Sequence, residues 1–160
     1  MLGRLARWMR LLGENVIYLK DTDDEELIKA ALKDERVLLT SDLDLYRRAR
    51  AKDAQAYVVG GKTESDRLAE VAKIFRIPLV ADPNRSRCAI CNGLIMTIPK
   101  GEVEGKVPSK VFARNSDFWM CGGCGKIYWK GGHWLNIDGV LQEVKRILRE
   151  DKGLKRVARS

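Results

Sequence analysis

The chain has 160 residues and a formal net charge of +8 at pH 7, carried by 30 basic and 22 acidic side chains. The positive surplus lies entirely in the second half, because residues 1–82 hold 15 basic and 15 acidic side chains whereas residues 83–160 hold 15 basic and only 7 acidic ones. The second half is therefore expected to bind polyanions, and no membrane span is expected because no apolar run approaches about 18 residues.

Helices and short strands alternate through the first 75 residues. An amphipathic helix with a basic flank is predicted at the start, from the helical spacing of Leu2, Leu5, Met9 and Leu12 and of Arg4, Arg7 and Arg10. Apolar runs predict buried strands at residues 16–19, 37–40 and 56–59, and an amphipathic helix follows each of them, reaching Leu32, Ala49 and Phe75. This order predicts an α/β fold with a mostly parallel sheet covered by helices on both faces.

The second half is predicted to form a small ribbon and a final helix. Pro78, Pro83 and Asn84 mark a linker, and short strands are predicted at residues 94–98 and 126–129. Pro108 is expected in a turn or at the foot of a helix. The predicted division is a first domain at 1–80, a linker at 81–87, a ribbon at 88–135, and a C-terminal helix with a basic tail at 136–160.

Four cysteines, Cys88, Cys91, Cys121 and Cys124, form two pairs with two-residue spacing. Each pair can direct two thiolates at one ion from a tight turn, for which Gly123 and Gly125 supply backbone freedom, so the pattern favours a structural zinc in a four-cysteine site. Two alternatives stay open: paired disulfides, if the source is a hyperthermophile, and iron in a rubredoxin-like electron carrier. Use of every cysteine in one motif suits a reducing cytoplasm.

Acidic residues are concentrated between positions 21 and 44, where nine acids face only three basic residues. Asp42 and Asp44 directly follow a predicted strand, and Asp24 opens the helix that follows the preceding strand. The carboxyl ends of parallel strands share one sheet edge, so these carboxylates are expected to meet there and hold Mg²⁺ or Mn²⁺. The alternatives are a solvated helix start and a helix cap formed by Ser41 or Asp42.

Three motifs in order carry a family resemblance: residues 1–13 (MLGRLARWMRLLG), 38–45 (LLTSDLDL) and 121–129 (CGGCGKIYW). The chain resembles the Mut-seven C-terminal ribonuclease family, a PIN-like nuclease domain fused to a zinc ribbon, from Met1 to about Trp134. The resemblance implies a metal-dependent endoribonuclease whose catalytic aspartates match Asp24, Asp42 and Asp44. It also implies products with 5′-phosphate and 3′-hydroxyl ends.

One departure from the family pattern bears on catalysis. Family members usually place a short strand ending in an aspartate before the first helix, and no residue precedes Met1 in this sequence. The resemblance therefore implies a sheet without its first strand and a site without one carboxylate. A start codon assigned too late, a sequence that has been shortened, and a weakened enzyme are all open explanations.

RNA is the expected partner, with ribosomal and transfer RNA as examples, and no membrane partner is expected. Positive charges and stacking rings near the second cysteine pair, together with arginines near the acidic residues, form the candidate RNA-binding set: Lys126, Trp129, Lys130, His133, Trp134, Arg4, Arg7, Arg47 and Arg48. Aromatic residues of a small ribbon more often form its core, and exposed arginines are more often only solvated. A non-catalytic RNA-binding or ribosome-binding protein is the rival function.

Overall fold

The computed structural model of the chain describes residues 2–157, apart from the side chains of His133 and of residues 152–157. The predicted RNA-binding role of the His133 side chain and the side chains of the predicted basic tail fall outside what the structure describes. Across residues 2–157, no helix combines the length and apolar character needed to cross a membrane.

The described chain contains six α-helices and five β-strands. The helices are Gly3–Leu11 (α1), Asp24–Lys33 (α2), Leu43–Ala51 (α3), Glu64–Phe75 (α4), Ser109–Arg114 (α5) and Gly132–Val157 (α6). The strands are Leu38–Thr40 (β1), Ala56–Val58 (β2), Ile95–Ile98 (β3), Phe118–Cys121 (β4) and Ile127–Trp129 (β5). One turn of 3₁₀-helix spans Lys100–Val103.

The first half forms a small parallel sheet with helices on both faces, which confirms the predicted α/β fold. β1 pairs with β2 in parallel, with Leu39 opposite Tyr57. Successive residues of a strand point to opposite faces. Accordingly, Leu39 and Tyr57 pack on the cluster formed by α1, α4 and α6, whereas Leu38 and Ala56 pack on the cluster under α2 and α3.

The C-terminal helix completes the larger of these two cores. Leu141 and Val144 of α6 lie in one buried cluster with Leu68 and Val71 of α4 and with Leu5 of α1. Burial of aliphatic side chains stabilises such a cluster by about 1.5–3 kcal/mol per residue. Helix α6 therefore holds the first half of the chain together, although it follows the ribbon in sequence.

The strand predicted at residues 16–19 does not form, and that prediction is wrong. The backbone polar groups of Val16 bond to side chains: its N–H donates to Asn92 Oδ1 at 3.1 Å, and its carbonyl accepts from Arg10 Nε at 2.8 Å. Ile17 and Leu19 remain 46% and 42% exposed. The backbone of Val16 therefore makes side-chain contacts in place of a strand ladder.

The second half contains a three-stranded antiparallel ribbon in the order β3, β4, β5. Its core consists of Ile98, Val103 and Phe118, and Phe118 pairs with Ile98 on one side and Trp129 on the other. The two predicted ribbon strands are confirmed as β3 and β5, and Pro108 precedes α5 as expected. β4 was not predicted, although its four residues form an apolar run of the kind that predicts a buried strand.

The segment before the ribbon is hydrogen-bonded to the end of α1. The Ser86 hydroxyl donates to the Leu11 carbonyl at 2.5 Å, and the Arg87 N–H donates to the Arg10 carbonyl at 2.8 Å. Ser86 and Pro83 are buried. These contacts fix where the ribbon begins relative to α1, while the division of the chain into domains stays a prediction.

Candidate functional site

The four cysteines converge into one cluster at the base of the ribbon. Cys88 and Cys91 lie in the turn before β3, Cys121 ends β4, and Cys124 lies in the turn to β5. All four Sγ atoms lie within 4.8 Å of one another, and the thiols are free. The predicted four-cysteine site is therefore present in the fold.

Two glycines shape the turns around this cluster. A Cβ at Gly93 would lie 2.9 Å from the Cys121 sulfur, so this position needs glycine for space. Gly125 adopts a φ of +70°, in the left-handed region that glycine tolerates. Of the two glycines predicted to supply backbone freedom, Gly125 does so by its positive φ. A Cβ at Gly123 would lie 3.5 Å from the Cys91 sulfur, an ordinary contact, so the structure gives no requirement for glycine there.

Hydrogen bonds favour the thiolate form at Cys88. Burial raises the pKa of Cys88, but donation from the Cys91 N–H and from the Tyr128 hydroxyl, 3.1 Å away, outweighs burial and lowers the pKa to about 6. The Lys126 N–H lowers the pKa of Cys124, but the sulfurs of Cys91 and Cys88 outweigh it and raise that pKa to about 12. Hydrogen bonding therefore favours the thiolate form at Cys88, whereas the neighbouring sulfurs favour the protonated thiol at Cys124.

The sulfur geometry fits a tetrahedral metal ion. Cys88 and Cys124 are separated by 3.5 Å between Sγ atoms, and Cys91 and Cys121 by 3.4 Å. An ion with metal–sulfur bonds of about 2.3 Å would place its sulfurs about 3.8 Å apart. A bound cation would also replace the thiol protons. The four cysteines are positioned to bind a metal ion.

Arg10 connects the first cysteine turn to α1, a role that the sequence did not predict. Its guanidinium donates from Nη1 to the carbonyls of Ala89 and Ile90, both at 3.1 Å, as well as from Nε to Val16. Arg10 is only 6% exposed, so its predicted place on a basic flank with Arg4 and Arg7 is wrong. At about 100° per residue, Arg10 is rotated by about 120° from Arg4. The one indication in the sequence that Arg10 could be buried was its position next to Met9, a residue of the apolar face.

The acidic residues border a second feature, a cavity of about 510 Å³ along β1. Its walls come from α1, α2, β1 and the extended segment after α1, and both Asp24 and Asp42 line it. Asp24 begins α2, and Asp42 lies two residues after the end of β1. Asp24 and Asp42 therefore line one cavity beside the end of β1, although the strand predicted to precede Asp24 does not form, and Asp44 does not line this cavity.

Asp42 caps helix α3. Its Oδ1 accepts hydrogen bonds from the N–H groups of Asp44 at 2.7 Å and Leu45 at 3.2 Å. Its own N–H donates to the Thr40 hydroxyl oxygen at 3.0 Å. Asp23 caps α2 in the same way, accepting from the Glu26 N–H at 2.9 Å. The capping alternative is therefore realised at Asp42, and a cap does not prevent the carboxylate from also facing the cavity.

Arginines of α3 pair with the other two predicted catalytic aspartates. Arg48 pairs with Asp24, and Arg47 Nη1 pairs with Asp44 Oδ1 at 3.1 Å. Among the residues that the structure describes, the four cysteines are the only group of three or more potential ligands gathered closely enough for one ion. Asp24, Asp42 and Asp44 are thus near one sheet edge but are not drawn together into a ready cation site.

The remaining predicted RNA-binding residues lie mainly along a different surface. Arg4, Arg7, Lys126 and Trp129 line the cleft between α1 and the ribbon. Arg4 Nε also pairs with Glu64 at 3.5 Å, and the Lys130 ammonium lies 5.3 Å from the centre of the Trp134 ring.

Comparison with known proteins identifies a family for most of the chain. Residues 1–141 match the family model described as the Mut7-C RNAse domain. Searches of curated proteins and of solved structures found no match. The matched range runs from α1 into α6, and it includes both the acidic edge and the four cysteines.

Proposed function

The chain belongs to the Mut7-C RNase domain family, since the family model covers residues 1–141, and from this premise we propose that it is a metal-dependent endoribonuclease. The observation that carries the proposal is the pair of carboxylates, Asp24 and Asp42, on one cavity at the carboxyl end of a parallel strand. We assign Asp24, Asp42 and Asp44 as the residues that hold Mg²⁺ or Mn²⁺. Carboxylate oxygens are the ligands that these hard cations prefer.

A bound divalent cation would supply activation of water and neutralisation of charge on the phosphodiester. The protein's own contribution is to present carboxylates on short, fixed elements. Asp42 is held by its cap bonds through Oδ1. Arg48 and Arg47 neutralise Asp24 and Asp44. Once these carboxylates are engaged with a cation, the two arginines are expected to turn to RNA phosphates. Products would carry 5′-phosphate and 3′-hydroxyl ends.

We propose zinc as the ion of the four-cysteine site, with a structural role. Four thiolates and no open ligand position are typical of structural zinc. The hydrophobic cluster of the ribbon contains only three buried residues among those that the structure describes, so the ion would contribute much of the ribbon's folding energy. Metal analysis of colourless protein should give about one zinc per chain. Red-brown absorbance would instead identify iron and a rubredoxin-like protein. Reduced thiols suit the cytoplasm, where we place the protein.

The ribbon half is proposed to dock RNA for the nuclease site. Residues 83–160 carry all of the chain's positive surplus. Phosphate contacts by lysine and arginine make RNA affinity fall with salt. Ribosomal and transfer RNA are candidate substrates. An RNA-binding constant that does not change between low and high salt would contradict docking on the ribbon half.

The decisive experiment is cleavage of end-labelled, unpaired RNA by zinc-loaded protein with added Mg²⁺ or Mn²⁺. Asp42→Asn should abolish cleavage, and its fold should survive because asparagine caps helices as well as aspartate. Asp34→Asn is the matched control, because Asp34 borders the same cavity at the opposite end of α2, about 15 Å from Asp24 along the helix. Equal cleavage by wild type and Asp42→Asn would contradict the assigned site.

A non-catalytic RNA-binding protein is the second candidate function. It is favoured by the pairing of Asp24 and Asp44 with arginines and by the absence of a close carboxylate group among the described residues. RNA binding by wild type without cleavage in Mg²⁺ or Mn²⁺ would establish this candidate and exclude the first.

A further inference from the structure

A cleft of about 580 Å³ lies between α1, the ribbon and the first turns of α6. It is separate from the cavity at the acidic edge. Helix α1 borders both, with Leu5 and Met9 on the acidic-edge cavity and Arg4 and Arg7 on the cleft. Its volume falls within the range of about 300–1,000 Å³ typical of small-ligand sites.

All four tryptophans of the chain line this cleft: Trp8, Trp119, Trp129 and Trp134. Three of them have structural roles. Trp8 packs on the first core, Trp129 packs on the ribbon core, and Trp119 is buried with its indole N–H donated to Asn84 at 2.9 Å. Among the described residues, Trp134 belongs to none of the buried clusters, although it is half-buried. Of the four rings, that of Trp134 is therefore the least engaged in core packing, and the Lys130 ammonium lies 5.3 Å from its centre.

The polar lining of the cleft is strongly cationic. Four basic side chains, Arg4, Arg7, Arg87 and Lys126, border it against a single acid, Glu64. Glu64 pairs with Arg4, and Arg87 Nη1 donates to the Asn92 carbonyl at 3.1 Å. Arg7 and Lys126 are exposed, and they stand on the two opposite walls, α1 and the ribbon.

An aromatic floor under a cationic rim matches one ligand chemistry. A flat, uncharged ring that carries an anionic group can stack on indole while its anion meets the arginine and lysine. In RNA only an unpaired nucleotide presents its base in this way, because a duplex buries the faces of its bases in the stack.

We infer that this cleft binds an unpaired nucleotide of the RNA, with its base on Trp134 and its phosphates on Arg7 and Lys126. The inference rests on the proposed ribonuclease function, and it names single-stranded RNA as the substrate class. The strand would pass over α1 between the cleft and the acidic edge. Cleavage would then take place a few nucleotides away from the base that is bound in the cleft.

The test measures binding in the inactive Asp42→Asn background, with a fluorescein-labelled 12-nucleotide RNA that cannot self-pair and with a duplex of the same sequence. The single strand should bind more tightly than the duplex and should quench tryptophan fluorescence. Trp134→Ala should weaken single-strand binding about 5- to 150-fold, and Trp134→Phe should largely restore it, because both rings stack.

Charge variants keep the test decisive if Trp134→Ala fails to fold. Arg7→Gln should lower the salt slope of binding by about 0.7, the value for one phosphate contact on a single strand. Lys33→Gln is the matched control, because it removes an exposed cation on α2 outside the cleft. Equal binding of duplex and single strand, or unchanged binding and salt slope in Trp134→Ala and Arg7→Gln, would overturn the inference.

Binding and cleavage measured together distinguish failure of the inference about the cleft from failure of the nuclease proposal. If wild type binds single-stranded RNA in the cleft and does not cleave it, the nuclease proposal is contradicted and the inference about the cleft is supported. If wild type cleaves RNA and the cleft variants bind RNA as tightly as wild type does, the nuclease proposal is supported and the inference about the cleft is contradicted.

Discussion

Replacing Arg10 by alanine should destabilise the protein more than any exposed arginine does. Arg10 is 6% exposed, and its guanidinium donates to three carbonyls: Val16 at 2.8 Å, Ala89 at 3.1 Å and Ile90 at 3.1 Å. Two of these carbonyls belong to the turn that carries Cys88 and Cys91. The side chain therefore links α1, the segment after it and the first cysteine turn.

The magnitude follows from these three bonds. A hydrogen bond to a charged group contributes about 1.5–3 kcal/mol, and leaving a buried acceptor unpaired costs a comparable amount. Water will reach some of the freed carbonyls, so we expect Arg10→Ala to lower the free energy of unfolding by about 3–5 kcal/mol, less than the sum of three bonds. A loss of this size is a large share of the roughly 5–15 kcal/mol that stabilises a typical domain.

Urea unfolding of metal-loaded protein measures this loss. Arg7→Ala is the matched control on the same helix, and because Arg7 is exposed the change should stay within about 0.5 kcal/mol. Arg10→Lys should recover only part of the stability, because one ammonium cannot replace the spread of guanidinium donors. Release of the metal to a chelator should be faster in Arg10→Ala. Unfolding free energies that agree between Arg10→Ala and Arg7→Ala would refute the reasoning.

Three further predictions concern the metal, a glycine and a helix cap. Removing the metal with a chelator should abolish the chemical-shift dispersion of the ribbon signals in NMR spectra while the α/β half keeps its dispersion, because the ribbon core is small. Ribbon signals that stay dispersed without metal would contradict this. Gly61→Ala should cost about 1–3 kcal/mol in thermal unfolding, because its Cβ would lie 2.5 Å from Arg67 N, whereas Gly101→Ala should be nearly neutral because nothing lies within 4 Å of that Cβ. The backbone hydrogen bond from Thr63 lowers the pKa of Asp66, so this group stabilises the fold above its unfolded pKa of about 3.9 and the contribution is lost as pH falls through the folded value. Asp66→Asn should therefore weaken the acid dependence of stability, and an unchanged acid limb would count against it.

The sequence predicted those features that depend on local pattern. Apolar runs separated by amphipathic helices were sufficient to predict a parallel sheet with two covered faces, because β1 and β2 pack residues against the cores on both sides of the sheet. Two-residue cysteine spacing was sufficient for the four-thiol cluster, because a tight turn fixes where both sulfurs point.

Features that depend on distant partners could not be predicted from local pattern. Residues 16–19 have strand-like composition, but Arg10 and Asn92, far apart in sequence, take the backbone groups of Val16. The sheet-edge rule accounts for Asp42, which follows β1, but not for Asp24, because no strand forms at residues 16–19 before its helix. It could not show that Arg48 would pair with Asp24, because that contact depends on how α3 packs beside α2.

The most direct measurement is the location of bound Mn²⁺ in zinc-loaded protein, from paramagnetic broadening of assigned amide signals. The proposed site predicts that signals of Asp24, Asp42 and Asp44 broaden first as Mn²⁺ is added, and that Asp42→Asn shifts this broadening to higher Mn²⁺ while Asp34→Asn does not. Sharp signals at these three aspartates, with broadening elsewhere on the chain, would contradict a catalytic cation at the acidic edge.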